Sequence, residues 1–369
     1  MEFRPEKKLG FGLMRLPKLE DGSIDVEQTK DMVDLFLENG FTYFDTAFVY
    51  EGSEDAIRQA LVERYPRESY TLATKMNGWL GCDDEASCKA QFDTSLQRTG
   101  AGYFDYYLLH ALQENTYQKY DEYHVWDYVK QLKEEGKVKH YGFSFHAKPE
   151  LLEELLTLHP DVDFVQLQIN YADWEDENVQ SRRNYEVCVK HGKPVVVMEP
   201  IKGGSLANPL PQIAEMFKGY NPDDSAASWA IRFVASLENV MVVLSGMSTL
   251  DQMKDNVSYM KDFKPLNEEE QEIIVKARKI LDEVEIVPCT ACHYCTEGCP
   301  MGIPIPEIFS CLNAVLQYND MAAGKRRYER VTADKAKAGD CIQCGQCEGA
   351  CPQRINVIER LQKASELFD

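Results

Sequence analysis

Two runs of cysteine constrain this chain more than any other feature. Cys289, Cys292, Cys295 and Cys299 precede Pro300, and Cys341, Cys344, Cys347 and Cys351 precede Pro352. Both runs read C-x2-C-x2-C-x3-C-P, which puts eight cysteines within 63 residues. The tight x2 spacing lets three thiols of a run converge on one point. The proline turns the fourth away, toward whatever the other run surrounds.

This is the run by which bacterial-type ferredoxins hold cubane clusters. It predicts two 4Fe-4S clusters, one on Cys289, Cys292, Cys295 and Cys351, the other on Cys341, Cys344, Cys347 and Cys299. Zinc is the rival, because thiolates bind it well and two tetrahedral sites would also use eight cysteines. Structural zinc normally presents paired C-x2-C knuckles rather than one four-cysteine run twice over, so iron-sulfur is preferred. Between the runs, Pro300 to Asp340 carries a helical pattern of Ile308, Leu312, Val315 and Leu316. The segment resembles the α-helical ferredoxin modules that feed electrons to larger enzymes.

At 369 residues the chain exceeds a single core, and one large and one small domain are expected. Eight apolar runs recur through the first 250 residues: "LGFGLM", "TYFDTA", "YTLATK", "FDYYLLH", "HYGFS", "VQLQIN", "PVVVME" and "MVVLSG". Most are near-continuous rather than alternating, as parallel strands covered on both faces require. Helical patterns lie between them; Met32, Val33, Phe36 and Leu37 share a face, and Gly40 follows as a stop signal. Strand alternating with helix predicts an α/β fold, a (β/α)8 TIM barrel with its working residues at the C-terminal strand ends, followed by a C-terminal α-helical ferredoxin-like domain. A helix capped by Asn267 is expected through Ile273, Ala277, Ile280 and Val284. The composition changes near Pro288, giving a barrel over 1–287 and a two-cluster domain over 288–369.

The N-terminal "MEFRPEKKLG" lacks the apolar stretch of a secretion signal, so a reducing, cytoplasmic setting is expected. Twelve cysteines there read as ligands or thiols rather than disulfides. Cys188 and Cys311 fall in helical patterns and read as packing residues. Cys82 and Cys88 follow the third strand, as loop residues or, on a sharper reading, substrate contacts. A formal charge of -21 argues against nucleic acid, and no apolar run reaches membrane length.

"FDTAFVY", "TK" and "LLH" end the second, third and fourth strands. Here the chain resembles the aldo-keto reductases, whose tetrad of Asp, Tyr, Lys and His matches Asp45, Tyr50, Lys75 and His110. The chemistry explains the grouping, since hydride addition to a carbonyl builds charge on oxygen that needs a proton donor and an electrostatic clamp. A phenol is a weak acid at neutral pH, and an adjacent ammonium, Lys75 held by Asp45, favours the phenolate and strengthens it. Tyr50 is the expected donor, and His110 the group that orients the carbonyl.

The same resemblance implies a nicotinamide cofactor bound through Ser144, Gln168 and Asn170, in "GFSFH" and "LQIN". Phe145 stands where an Asn is frequent, and Met198 where many members stack a Tyr. Gly246 and Gln252 replace the Lys and Arg that often take the 2'-phosphate, while Asn256, which typically meets the adenine, remains. NAD or NADP is implied, with NAD slightly favoured. "GFGLMRLP", "EEGKVKHYGFSFH" and "VMEPIKGG", with the cysteine runs, resemble the iron-sulfur-containing members of the family. The expected function is hydride transfer between nicotinamide and a small carbonyl or alcohol substrate, joined to 4Fe-4S electron transfer with a ferredoxin or flavoprotein partner. Two alternatives stand beside it. One is a ferredoxin-linked single-electron reductase with a flavin or substrate in the barrel mouth; the other is a nicotinamide- and redox-sensing module without turnover. Trp79, Trp174 and His146 are candidates to line the pocket.

Overall fold

The structure, a computed structural model, describes residues 3–318 and 321–369. Met1 and Glu2, at the start of the N-terminal reading, and Asn319 and Asp320, between the cysteine runs, lie outside the described residues. The chain forms two compact units.

The first unit, Met1–Asp176, Gln180–Pro200 and Ala227–Asn267, is built on eight strands. These are β1 (Leu9–Gly12), β2 (Tyr43–Asp45), β3 (Thr71–Asn77), β4 (Phe104–Leu112), β5 (Val138–Phe145), β6 (Phe164–Gln168), β7 (Val195–Met198) and β8 (Val240–Ser245). They pair in parallel in chain order and close into a barrel, with Leu9 of β1 in register with Val243 of β8. The apolar runs are continuous because inward side chains fill the barrel while outward ones meet helices. Tyr43, Tyr106, Phe164, Val196 and Met241 pack the interior. Phe3 packs against this group, and its carbonyl accepts a hydrogen bond from the Tyr106 hydroxyl. A Cβ on Gly142 of β5 would stand 2.2 Å from the Phe164 carbonyl oxygen of β6, so these strands approach only with glycine there.

The crossover helices start and stop on local signals. Val26–Glu38 begins where the Asp25 carboxylate accepts from the Gln28 N–H, and Gly40 follows its end at a φ of 79°. Its Met32, Val33 and Phe36 are buried, and Leu37 is half-buried. Glu85–Thr99, after β3, opens on a reciprocal capping box between Asp84 and Ser87.

The second unit comprises Glu177–Val179, Ile201–Ala226 and Glu268–Asp369. Compactness thus divides the chain differently from the change of composition near Pro288, taking the stretch after β7 together with the cysteine segment. Helix Glu268–Asp282 follows Asn267 and buries Ile273 and Ala277, stopping just short of Val284. Helices Ile305–Tyr318, Met321–Val331 and Val357–Phe368 bring Ile308, Phe309, Leu312, Leu361 and Phe368 into one core. Cys311 is buried in that core, and Cys188 is buried in helix Ser181–Lys190 of the first unit. The Asn313 side chain pairs with both backbone groups of Val287, at 2.7 and 2.8 Å. A Cβ on Gly203 would meet the Cα of Thr290 at 2.6 Å, so the chain after β7 lies directly on the first cysteine run. Among the described residues no helix is long and apolar enough to cross a membrane.

Candidate active site and cysteine centres

Four side chains meet at the C-terminal ends of β2, β3 and β4 and the loop after β2. Lys75 Nζ donates to Asp45 Oδ1 at 2.5 Å and to the Thr46 carbonyl at 2.7 Å, and both residues are buried. The ammonium lies 5.1 Å from the centre of the Tyr50 ring. His110 completes the group, its ring 5.8 Å from that of Tyr50 and nearly perpendicular to it. β4 shifts register between Leu109 and Leu112, with Ala111 at a φ of 51°. The displaced Ala111 N–H donates to Ser144 Oγ at 2.7 Å, and the His110 carbonyl accepts from the Tyr120 hydroxyl at 2.6 Å. Such a bulge re-aims a side chain at a strand end.

Burial governs the charges. It pushes the Asp45 carboxyl up and the Lys75 ammonium down, each opposed by the partner's charge. For His110, burial and then the neighbouring charges of Lys75 and His146 hold the imidazole well below its usual range. His110 is therefore neutral at physiological pH, able to donate one hydrogen bond and accept another.

Trp79 stands against His110, ring centres 5.3 Å apart, whereas Trp174 packs on Tyr185 and Phe233. Cys82 and Cys88 correct the expectation of unpaired thiols. They form a disulfide, because the loop after β3 returns to the first turn of helix Glu85–Thr99 and brings their Cα atoms to 4.3 Å.

Ser144, Gln168 and Asn170 are buried at the ends of β5 and β6. Asp173 Oδ2 accepts from Gln168 Nε2 at 2.8 Å and from Asn170 Nδ2 at 2.7 Å, and the Asp173 N–H donates back to Asn170 Oδ1. Phe145 is buried in the barrel wall, and Met198 is half-buried at the end of β7. The Arg15 side chain lies along Gly246, where a Cβ would stand 3.5 Å from its Cδ, and its guanidinium reaches Glu199 at 3.7 Å. Gln252 accepts from the Ser248 N–H at 2.7 Å. Asn256 is engaged at both ends of its amide, by Ser245 Oγ at 2.6 Å and the Tyr259 hydroxyl at 2.5 Å.

In the second unit the cysteines line two small cavities. Cys289, Cys292, Cys295 and Cys351 line one, beside Phe309, Ile355 and Val357. Cys341, Cys344, Cys347 and Cys299 line the other, beside Ile303, Ile305 and Leu361. Each cavity thus draws three thiols from one run and the fourth from the other. Among the described residues no group of three or more His, Cys, Asp or Glu is drawn together around a single ion. A donor set of four thiols around an apolar-walled cavity suits an iron-sulfur cluster. Each has one buried cysteine, Cys295 and Cys347, and they differ at the second position of the run, where Cys344 is exposed and Cys292 is half-buried. Met301 and Ile342, on the lining of the Cys344 cavity, are exposed apolar residues.

A family model described as "Aldo/keto reductase family" matches residues 8–279. The chain belongs to this family. A second model, described as "4Fe-4S dicluster domain", matches residues 288–356 of this aldo/keto reductase. The 9,11-endoperoxide prostaglandin H2 reductase of Trypanosoma cruzi is 26% identical over 272 residues, covering 72% of this chain and 86% of its own length. The glyoxal reductase of Bacillus subtilis is 26% identical over 201 residues, 54% of this chain and 66% of its own. Among solved structures, the holo form of an aldo-keto reductase from Bacillus halodurans superposes with a TM-score of 0.56 at 26% identity, covering 73% of this chain and 91% of that one. An aldo-keto reductase from Klebsiella pneumoniae, in complex with NADPH, shares the fold with a TM-score of 0.59 at 20% identity, over 73% and 90% of the two chains. This aldo/keto reductase is thus an oxidoreductase enzyme by family.

Two carboxylates of the aldo/keto reductase site escaped the sequence reading. Asp173 orients Gln168 and Asn170. Glu54, buried, accepts from Thr74 Oγ1 at 2.7 Å, lies 3.4 Å from Arg98 and helps sustain the Lys75 charge. Glu54 stands four residues after Tyr50, a helical spacing, but in "EGSEDAIRQ" nothing distinguishes it from a solvated acidic face. Asp173 lies three residues past Asn170, the reach of a side chain that caps a following turn, and that spacing is the signal that could have found it.

Proposed function

We propose that this chain transfers hydride between a nicotinamide and a small carbonyl or alcohol, and that its cysteine unit carries two 4Fe-4S clusters that exchange single electrons with an external carrier. The observation that carries the first part is the meeting of Asp45, Tyr50, Lys75 and His110 at three successive strand ends. The nicotinamide, when bound, supplies or accepts the hydride. Tyr50 gives its phenolic proton to the carbonyl oxygen, and Lys75 stabilises the phenolate left behind. Asp45 fixes Lys75 toward the ring. The neutral imidazole of His110 donates to the oxygen and orients it without supplying a proton of its own.

Ser144, Gln168 and Asn170 suit a carboxamide. The Ser144 hydroxyl accepts from Ala111 and keeps its hydrogen to donate, while Asp173 and the Glu199 carbonyl hold the amide nitrogens of Gln168 and Asn170 so that their oxygens are the groups turned to accept from a carboxamide N–H. Each four-thiol cavity suits one cluster, with Cys351 and Cys299 crossing to the run that is not their own. A cluster in such a site passes one electron at a time, whereas hydride carries two. The exposed Cys344, flanked by exposed Met301 and Ile342, supports approach of a one-electron carrier of ferredoxin or flavoprotein type from solvent.

Replacement of the proton donor tests the first part. Tyr50→Phe is expected to slow aldehyde reduction by roughly 10²- to 10⁴-fold while nicotinamide affinity is retained. Wild-type turnover in that variant would remove the tyrosine mechanism.

A further inference from the structure

We propose that Cys82 and Cys88 are a reversible thiol-disulfide site that sets the position of Trp79 against His110. The two sulfurs are bonded in the loop that carries Trp79, whose start is tied to Asn77 and whose far end the bridge ties to helix Glu85–Thr99. Asn77 Oδ1 accepts from the backbone N–H of Trp79 at 3.0 Å and of Leu80 at 2.5 Å, and Asn77 Nδ2 donates to the Leu80 carbonyl at 3.1 Å. Gln91 reaches from helix Glu85–Thr99 to Asn77, its Oε1 accepting from the Asn77 N–H at 2.9 Å and its Nε2 donating to the Asn77 carbonyl at 3.1 Å. A bridge across six residues closes a short loop, the case in which a cross-link stabilises a fold least. Its effect is therefore on where the loop sits rather than on the global stability of the barrel.

The pocket also suits the reduced state. Cys88 Sγ lies 3.7 Å from the Asn77 carbonyl oxygen, so its thiol, once released, has an acceptor in place. That carbonyl is two residues from Lys75 on β3, and the loop it anchors carries Trp79 to the His110 ring. Cys82 and Cys88 are 0% and 1% exposed, but Leu80, Gly81, Asp83 and Asp84 around them are exposed. An incoming thiolate therefore reaches the bridge by a local opening of the 80–84 loop rather than by unfolding of the barrel.

The exchange balances with a dithiol of the thioredoxin class or two glutathiones. Its thiolate attacks one bridge sulfur, a mixed disulfide forms, and the second thiol resolves it. Two electrons and two protons pass to Cys82 and Cys88 while the partner becomes a disulfide. Reoxidation runs the same steps backward with a disulfide oxidant.

Met76–Lys89 is a single tryptic peptide that holds both cysteines and none of the eight in the paired runs. The intact protein is equilibrated under nitrogen with glutathione and dithiothreitol couples of graded ratio, quenched in acid, alkylated and digested, and that peptide is weighed. Conversion from the linked to the doubly alkylated form across these buffers is expected. A bridge that persists under native conditions in excess dithiothreitol, or that never forms in oxidised glutathione, overturns the proposal. Trp79 emission, isolated by difference against Trp79→Phe, is expected to change between the two forms, and Cys82→Ser to match the reduced one. Identical emission in both forms also overturns it. The kinetic consequence rests on the carbonyl-reduction reading: kcat/KM for a bulky aldehyde should drop by roughly tenfold on reduction, within the penalty known for small misplacements near a reacting centre. Equal kinetics in the two forms would sever the site from catalysis. If no aldehyde is turned over but the peptide still titrates and Trp79 responds, the thiol site stands and the hydride reading fails.

Discussion

Lys75 and Asp45 meet at 2.5 Å in a place where neither side chain touches solvent to any useful extent. Two charges removed from water stabilise a fold only while both are present. Asp45→Ala is expected to cost about 3–5 kcal/mol in urea unfolding, because it strands a buried ammonium. Asp45→Leu with Lys75→Met should cost less than Asp45→Ala alone. A single variant as stable as wild type would mean that water already solvates the lysine.

His110 carries a pH signature. Its folded-state pKa is lowered by burial first, then by Lys75 and His146, so the unfolded chain takes up the proton at the higher pH. The stability it contributes is fully present above about 6.5, the unperturbed value, and drains as pH falls toward the lowered folded value. One such proton gives a slope of about 1.4 kcal/mol per pH unit in that window. Urea titrations between pH 5 and 8, followed by tryptophan emission, should show this slope in the wild type. It should be smaller by that amount in His110→Gln, and an unchanged slope would mean that His110 titrates normally.

For the dinucleotide, NADH should serve at least as well as NADPH, compared as kcat/KM. Gly246 and Gln252 offer no charge-assisted partner to a 2'-phosphate, and the cation that lies along Gly246, Arg15, is paired with Glu199. A preference for NADPH that vanishes in Arg15→Ala would show that Arg15 leaves Glu199 for the phosphate.

Cysteine replacements should fall into two classes that cut across the runs. Cys299→Ser is expected to lose the same cluster as Cys344→Ser, and Cys351→Ser the same cluster as Cys292→Ser. Iron and sulfide counts with electron paramagnetic resonance of the anaerobically reconstituted protein distinguish the pairs. Cys299→Ser grouping with Cys292→Ser would refute the crossed arrangement.

The sequence by itself determined the barrel and the cysteine unit, since both are written as short-range regularities. Near-continuous apolar runs at helical intervals leave few folds besides a parallel closed sheet, and a repeated C-x2-C-x2-C-x3-C-P spacing converges whatever surrounds it. Asp45, Tyr50, Lys75 and His110 were picked out by resemblance to the aldo-keto reductases, whose motifs follow apolar runs that stop where the barrel opens. Tertiary structure alone decided what depends on approach from distant parts of the chain. Glu54 is buried because Thr74 and Arg98, far along the sequence, close over it. Gly203 lies on Thr290 although 86 residues separate them, which joins the stretch after β7 to the cysteine unit. Cys82 and Cys88 pair because Asn77 and Gln91 fold the loop back on itself, a closure that the spacing of two cysteines in "CDDEASC" does not encode. Burial and charge at such points are set by neighbours in space, and neighbours in space are what a linear pattern of residue types does not carry.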